Sequence, residues 1–287
     1  MKKTIMCLLM AVILLVGTVA VANAEGEWQH FLLLGCDARE EGRYDRSDTM
    51  IVLSFNLGTR EIKIASILRD IWMELPGHGE GKINAAVVYG GPECAIDAVE
   101  KLLDIRISKY VLVNMRGMIG IIDMLGGLDI TISEEEMKYI NEKLPETLED
   151  VGSDEVIEPL TQAGTVHLNG AQVLCHIRNR KIGDDYARTE RQRNVLMLMI
   201  EKATTDIKLD TLLGMIQEGL NYIETNMNLV EIAAIGKMAL ESGIGDIQMF
   251  RIPVEGSYQD ATKDGTSCFT IDGEKNVKAY HEFLGIA

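Results

Sequence analysis

The stretch "HFLLLGCDAREEGRYDRSDTMIVLSFNLGTREIKIASI" (His30–Ile67) predicts the beginning of a β-sheet. It contains three apolar runs, which are "HFLLLG" (His30–Gly35), "TMIVLSFN" (Thr49–Asn56) and "EIKIASI" (Glu61–Ile67). The second run is rich in β-branched and apolar residues, and the third alternates with the period of a strand. Because the short turn "NLGTR" joins these two runs, we predict that they form a hairpin at the front of a sheet.

Strand and helix patterns alternate along the rest of the chain. The predicted strands are Tyr110–Met115, Leu128–Ile132 and Ile247–Val254, and helices are predicted at or near Pro92–Asp104, Arg116–Gly127, Leu168–Arg178, Ala187–Lys202, Leu209–Tyr222, Leu229–Glu241 and Gly273–Gly285. We interpret Pro76–Lys82 as a loop, and residues 141–167, which are polar and contain two prolines, as a long loop or a small insertion. Since no repeat and no linker interrupts this order, we predict a single α/β domain with helices on both faces of a mixed sheet.

The first 24 residues, "MKKTIMCLLMAVILLVGTVAVANA", have the composition of an export segment. Two lysines precede a long apolar or small-residue run, and Ala22-Asn23-Ala24 matches the cleavage site of a secretory signal peptide. The run from Ile5 to Ala22 has eighteen residues, which is also just long enough for a membrane anchor. Both alternatives place the domain, residues 25–287, beyond the cytoplasmic membrane.

The net charge excludes broad binding to nucleic acid. The whole chain carries −16, and without its first 24 residues, which hold two lysines and no acid, it carries −18. A protein with this negative net charge repels the phosphate backbone of a nucleic acid, so an anionic ligand has to bind at a local positive site.

Familiar catalytic and metal-binding motifs are absent from the sequence. There is no G-x-S-x-G and no H-E-x-x-H, and "GHGEGK" lacks the spacing of a P-loop. The four cysteines beyond the first 24 residues form no C-x-x-C pair, and three disulfide pairings, or none, remain open for Cys36, Cys94, Cys175 and Cys268.

Acidic and basic residues are interleaved around the first two predicted strands. Asp37 follows the first strand and Asp48 precedes the second, so neighbouring strands would bring the two carboxylates together. Paired carboxylates suit Mg²⁺ that holds a phosphate substrate, although two solvated loop aspartates are the simpler alternative. Arg46 stands beside Asp48, and Arg69 ends the hairpin in "ILRD", where a surface ion pair is again the alternative.

The stretch "CHIRNRKIGDDYARTERQRN" (Cys175–Asn194) holds five of the thirteen arginines of the chain. Arg188, Arg191 and Gln192 share one helix face, because they lie three and four residues apart. Bidentate guanidinium groups suit a pyrophosphate, and Asp185 could accept a proton from an attacking hydroxyl. A solvated basic face with intrahelical Asp–Arg pairs is the alternative.

Seven segments in this order resemble the LytR-CpsA-Psr family of bacterial cell-wall proteins, from about His30 to Val254. They are "LLLGCDAR", "GRYDRSDTMIVLSFN", "IASILRD", "KINAAVVYGG", "IDMLGGLDI", "LNGAQVLCHIRNR" and "DDYARTERQR". The resemblance implies an α/β/α sandwich with a central mixed sheet and an apolar lipid channel. It also implies transfer of a glycopolymer, such as teichoic acid or capsule, from an undecaprenyl-pyrophosphate carrier to a peptidoglycan hydroxyl, with Mg²⁺ assisting, at the outer face of the cytoplasmic membrane.

The resemblance also implies roles for individual residues. Asp37 and Asp48 correspond to the metal ligands, and Asp185 corresponds to the catalytic base, with Arg69 and Arg188 as its catalytic partners. The pyrophosphate-binding set is Arg46, Arg69, Arg178, Arg180, Arg188, Arg191 and Gln192, with Lys82 and Asn84 near the head group. The sequence departs from the family pattern at Leu68, where proline is common, at Cys36 and Cys175, and in the short loop between Asp37 and Asp48.

Two other functions use the same residues and stay open at this point. A polyprenyl-pyrophosphate pyrophosphatase would replace the sugar hydroxyl with water. A non-catalytic scaffold would bind the lipid carrier without reaction.

Overall fold

The computed structural model describes residues 28–36, 44–56, 58–59, 61–183, 185–204, 217–233 and 247–286, without the side chains of Asp185 and Tyr186. The predicted signal peptide or anchor, residues 1–24, and the metal-ligand candidate Asp37 lie outside these ranges. Within them, no helix has the length and apolar character needed to cross a bilayer.

The described part of the chain alternates between strands and helices. The strands are β1 (Trp28–Cys36), β2 (Ser47–Asn56), β3 (Ile62–Ile67), β4 (Trp72–Leu75), β5 (Gly79–Lys82), β6 (Ile107–Asn114), β7 (Leu128–Ile132), β8 (Gly164–Leu168), β9 (Ile223–Thr225), β10 (Gln248–Ile252), β11 (Tyr258–Lys263) and β12 (Thr266–Ile271). The helices are α1 (Ala86–Leu103), α2 (Met115–Met124), α3 (Glu134–Asp150), α4 (Gly170–Ile177), α5 (Asp185–Thr204) and α6 (Gly273–Leu284).

The central sheet is mixed and has the strand order β10-β3-β2-β1-β6-β9. β1 runs parallel to β6, and β10 runs parallel to β3, whereas the remaining neighbours are antiparallel. The predicted hairpin is confirmed, because Val52 of β2 lies opposite Ala65 of β3. The predicted α/β class with a central mixed sheet is therefore also confirmed.

The two faces of the sheet have different partners. On one face, Leu32, Val52 and Ala65 pack with buried residues of α1 and α6, such as Val99 and Tyr280. The other face carries the alternate residues of the same strands and leads to the cavity described below. A second apolar core joins α2, α3, α4, β7 and β8, and its fully buried side chains include Ile122, Ile140 and Leu168.

The prediction of a long loop or a small insertion for residues 141–167 was right only for residues 151–163, which form neither helix nor strand, and it was wrong at both ends. Helix α3 continues to Asp150, and β8 pairs with β7. A capping box begins α3, because Ser133 accepts from the Glu136 backbone N–H and the Glu136 carboxylate accepts from the Ser133 N–H. Most residues of α3 are polar, because only a narrow stripe of the helix is buried in the protein. Pro145 lies within the helix.

Two smaller predictions were corrected, and a third falls mostly on residues that the structure does not describe. The segment that was predicted as a loop, Pro76–Lys82, contains β5, which forms a hairpin with β4. Helix α1 begins six residues earlier than predicted and is kinked at Gly90 and Gly91. The two helices predicted near 209–222 and 229–241 fall mostly on residues that the structure does not describe. In the described parts of these two segments, residues 217–219 and 229–233 are helical. Cys36, Cys94, Cys175 and Cys268 are all buried, and Cys94, Cys175 and Cys268 form no disulfide.

Candidate functional site

A cavity of about 420 Å³ opens on the second face of the sheet. It lies where β1 and β6 end and β2 begins, and α2, α3, α4 and α5 form its other walls. The carboxyl ends of parallel strands are a common location for ligand sites in α/β folds. Part of the lining is apolar and part is charged, and it comprises Gly35, Cys36, Asp48, Thr49, Val113, Asn114, Met115, Met118, Tyr139, Lys143, Glu146, Thr147, Leu174, Cys175, Ile177, Arg178, Arg180, Arg188 and Gln192.

A β-bulge directs Asp48 into this cavity. Gly35 lies opposite Thr49, and Cys36 lies opposite Ser47, so Asp48 is the extra residue between the two pairs. A bulge re-aims the side chain that it adds. Strict alternation would have placed Asp48 on the face of Met50, which packs in the core with α1. Instead, Asp48 and Thr49 both line the cavity.

Asp48 is the centre of a cationic cluster. Its Oδ1 accepts from Arg69 Nη1 at 2.6 Å, and its Oδ2 accepts from Arg180 Nη2. Burial opposes ionisation of the carboxyl, but the guanidinium groups of Arg69, Arg180 and Arg188 hold the pKa of Asp48 below its ordinary value. Arg188 is itself only 4% exposed. Three arginines therefore converge on one carboxylate at the edge of the cavity.

Lys82 and Asn84 reach the cluster indirectly. Lys82 Nζ donates to Asp70 Oδ1 at 2.6 Å, and Arg69 Nε donates to Asp70 Oδ2 at 3.3 Å. The backbone N–H of Asn84 donates to the carbonyl of Arg69 at 3.4 Å. Both residues therefore lie behind Arg69 and support it, and neither lines the cavity.

The structure does not bring Arg191 to the cavity. Its Nε donates to Glu136 Oε1 at 3.0 Å, its Nη1 donates to the carbonyl of Asn179 at 3.0 Å, and its Nη2 donates to the carbonyl of Ile182. These contacts hold the turn that carries Arg180. Arg191 thus helps to position Arg180, although it does not line the cavity itself.

The buried side chain of His176 lies next to the ion pair of Arg191 and Glu136. His176 Nδ1 lies 3.9 Å from Glu136 Oε1. Burial lowers the pKa of His176 most, the Arg191 charge lowers it further, and the Glu136 carboxylate opposes both effects. Glu136 keeps a lowered pKa despite its own burial, because the Ser133 N–H, His176 and Arg191 stabilise its anion. The ion pair of Arg191 and Glu136 is therefore intact at neutral pH.

The predicted site residues divide into three groups. Those that line the cavity are Asp48, Arg178, Arg180, Arg188 and Gln192, and Arg69 joins them through Asp48. Those that do not line it are Arg46, Lys82, Asn84 and Arg191, of which Arg46 is exposed to solvent. Asp37 and the Asp185 side chain lie outside the described residues, although Asp37 directly follows Cys36 of the lining.

Sequence reasoning missed the cavity wall that α3 supplies. Tyr139, Lys143 and Glu146 line the cavity from one face of this helix. Lys143 and Glu146 fall in the segment that was predicted as a loop, and no element was predicted for the residues around Tyr139. The capping-box pattern of Ser133 and Glu136 was the signal that could have located the helix.

A magnesium site fits the described residues only in part. Asp48 has the oxygen ligands that Mg²⁺ prefers, and it points into the cavity. Both of its carboxylate oxygens contact guanidinium groups, so a bound ion would have to displace at least one of them. Among the residues that the structure describes, no three acidic, histidine or cysteine side chains form a group able to hold a metal. Asp37, the other predicted ligand, lies outside the described residues.

Comparisons with known proteins agree on one family. The LytR_cpsA_psr family model matches residues 17–282. The polyisoprenyl-teichoic acid–peptidoglycan teichoic acid transferase TagU of Enterococcus faecalis is 30% identical over 259 residues, which are 88% of this chain and 77% of that protein.

Solved structures give the same result. The crystal structure of Bacillus subtilis TagV has a TM-score of 0.71 at 25% identity and covers 92% of this chain and 100% of that chain. The structure of the LytR-CPS2A-psr family protein YwtF (TagT) with bound octaprenyl pyrophosphate lipid has a TM-score of 0.64 at 25% identity. It covers 92% of this chain and 93% of that chain.

Proposed function

The chain belongs to the LytR-CpsA-Psr family, and on this basis we propose that it is a cell-wall glycopolymer transferase. It takes a glycopolymer such as teichoic acid or capsule from an undecaprenyl-pyrophosphate carrier and joins it to a peptidoglycan hydroxyl through a phosphodiester. The reaction takes place beyond the cytoplasmic membrane, at its outer face or in the wall, and residues 1–24 serve as signal peptide or anchor.

The observation that carries this proposal is the convergence of Arg69, Arg180 and Arg188 at the edge of a partly apolar cavity. Clustered guanidinium groups repel one another, and a multivalent phosphate relieves that repulsion through bidentate hydrogen bonds. The apolar lining, which includes Val113, Met115 and Leu174, suits a prenyl chain beside the phosphate. The related YwtF (TagT) structure, which holds octaprenyl pyrophosphate, supports this reading.

In the proposed reaction, the acceptor hydroxyl oxygen attacks the phosphorus that bears the glycan. A new P–O bond forms, the bond from that phosphorus to the bridging oxygen breaks, and undecaprenyl monophosphate leaves. We assign to Asp185, at the start of α5, the role of accepting the hydroxyl proton. Arg69, Arg180 and Arg188 stabilise the charge that develops on the phosphoryl oxygens, where preorganised cations have their largest effect on rate.

We further propose that Asp48 and Asp37 hold Mg²⁺. When bound, such an ion supplies positive charge to the phosphate oxygens and withdraws negative charge from the leaving group. Arg180, whose side chain is 53% exposed, contacts the same Asp48 carboxylate and would share it with such an ion. Arg178 and Gln192 line the same cavity and complete the phosphate contacts.

The test is a transfer assay with a labelled lipid-linked glycan, run with and without purified peptidoglycan. We expect label bound to peptidoglycan, and undecaprenyl monophosphate released in equal amount. Soluble phosphorylated glycan formed in the absence of peptidoglycan would instead identify a pyrophosphatase, and label that stays on the lipid would identify a scaffold. Asp185→Asn should abolish transfer and keep lipid binding, so full transfer by this variant would overturn the assignment of the base.

A further inference from the structure

Tyr44 has a fixed position on the segment that leads into β2. It lies three residues before Ser47, where the strand begins. Its hydroxyl donates to Glu224 Oε1 on β9 at 2.7 Å. Its ring packs against the core on the α1 side of the sheet, and it lies so close to Gly91 of α1 that a Cβ there would be 3.3 Å from Tyr44 Cε2. A hydrogen bond, a core contact and a helix contact therefore hold this one side chain.

Glu224 is shared by two phenol groups. Its Oε1 also accepts from the Tyr110 hydroxyl at 3.1 Å. Glu224 lies opposite Leu112 of β6, and Tyr110 and Leu112 both belong to the core on the α1 side, so Glu224 faces that side as well. The hydrogen bond to Glu224 raises the pKa of Tyr44 to about 12, so the phenol remains a donor at neutral pH. Hydrogen bonds to a charged acceptor are stronger than neutral ones, which suits Glu224 to hold Tyr44 in place.

The contact between Tyr44 and Glu224 crosses one end of the central sheet. In the strand order, β1 and β6 lie between β2 and β9. Tyr44 approaches β2, yet its hydroxyl reaches β9, so this side chain passes the ends of β1 and β6. These two strand ends border the cavity. A shift of Tyr44 would therefore move a segment that lies at the cavity edge.

The segment from Tyr44 to Asp48 changes sides of the sheet. Tyr44 lies on the α1 side, whereas Asp48 points into the cavity on the other side. Two residues of extended chain span at most about 7 Å, so the Arg46 backbone lies within that distance of both. Arg46 itself is exposed and does not line the cavity. Its two neighbouring anchors nevertheless keep it at the rim, where its guanidinium group can meet a bound anion.

We propose that Glu224 is a positioning residue for the binding of pyrophosphate. Through Tyr44 it holds Arg46 at the rim of the cavity, and Arg46 contacts the phosphate oxygens of the ligand from there. Without this hydrogen bond the segment would become ordered only when the ligand binds, and that ordering would lower the affinity. The inference rests on the proposed function and extends it to β9, a strand outside the cavity lining.

The experiment is a double-mutant cycle on Tyr44 and Arg46, with a short-chain prenyl pyrophosphate as the probe. Arg46→Met should weaken binding about tenfold, as expected for the loss of one charged hydrogen-bond donor. Tyr44→Phe should weaken binding about fivefold in the wild-type background and have no further effect in the Arg46→Met background. A merely structural contribution of Tyr44 would instead weaken binding by the same factor in both backgrounds.

Two further variants complete the test. Glu224→Ala removes the acceptor and should reproduce both results of Tyr44→Phe. Tyr89→Phe is the matched control and should bind as the wild type does, because Tyr89 is 56% exposed and lies outside the cavity lining. Equal factors for Tyr44→Phe in the two backgrounds, or wild-type affinity in Arg46→Met, would overturn the positioning role. Failure of the wild-type protein to bind the probe would instead contradict the proposed function itself.

Discussion

Replacement of Asp48 by asparagine is expected to weaken the fold and strengthen the binding of pyrophosphate in metal-free buffer. The carboxylate is the only acidic partner that the described structure shows for Arg180, and it also accepts from Arg69. An asparagine side chain is nearly the same size but carries no charge. The substitution therefore leaves the guanidinium groups of Arg69, Arg180 and Arg188 facing one another.

The expected loss of stability in Asp48→Asn depends on how deeply the ion pairs of Asp48 are buried. Breaking a fully buried ion pair costs about 3–5 kcal/mol. The Asp48 and Arg69 side chains are 21% and 18% exposed, and Arg180 is 53% exposed, so solvent screens part of the interaction. We expect a loss of about 1–3 kcal/mol in the free energy of unfolding. Because the arginines lower the pKa of Asp48 below 3.8, the contribution is fully present above pH 3.8 and is lost as the pH falls below it.

The assay is denaturant unfolding of Asp48→Asn and wild type, with and without inorganic pyrophosphate, in buffer that contains a chelator. Ligand at one hundred times its Kd adds about 2.7 kcal/mol of stability. Pyrophosphate should stabilise the variant more than the wild type, because it takes the place of the missing carboxylate. Asp154→Asn, at an exposed position, is the control. If pyrophosphate stabilises both proteins equally, the arginines do not form an anion site.

Three further predictions concern residues around the cavity and the core. Arg191→Met should lower the free energy of unfolding by about 2–4 kcal/mol and weaken pyrophosphate binding through Arg180, and unchanged binding by the folded variant would contradict its positioning role. Burial, with the nearby His281, lowers the pKa of His30 to about 4, so stability should fall as the pH drops from 6.5 toward 4, by on the order of 3 kcal/mol. His30→Gln should flatten that slope in acid titrations, and an unchanged slope would locate the effect elsewhere. Gly35→Ala should disturb the bulge, because a Cβ there would lie 3.0 Å from Thr49 Cβ, and wild-type pyrophosphate affinity in this variant would show that the bulge tolerates it.

The sequence was informative where the pattern of burial is regular. Strands β1, β2 and β3 were predicted because each carries an apolar run, and their side chains alternate between the two faces of the sheet. Helix α3 escaped prediction because it buries so few of its residues that its composition resembles a loop.

The candidate site was predicted by residue type more successfully than by geometry. Asp48, Arg180 and Arg188 were selected from charge clustering, and they do meet at the cavity. The bulge that turns Asp48 toward them depends on the pairing of β1 with β2, which no local pattern specifies. Arg191 belongs to the same sequence motif as Arg188, yet tertiary contacts with Glu136 direct it away from the cavity.

The most direct test of the central claim is the affinity of the protein for a short-chain prenyl pyrophosphate relative to the corresponding monophosphate. If the arginine cluster holds a pyrophosphate, the diphosphate should bind at least about tenfold more tightly than the monophosphate, a difference of about 1.4 kcal/mol. Arg188→Met should abolish this preference, and Arg106→Met, at a side chain that is 93% exposed, should retain it. Equal affinity of the wild-type protein for the two lipids would contradict a cavity built to hold a diphosphate.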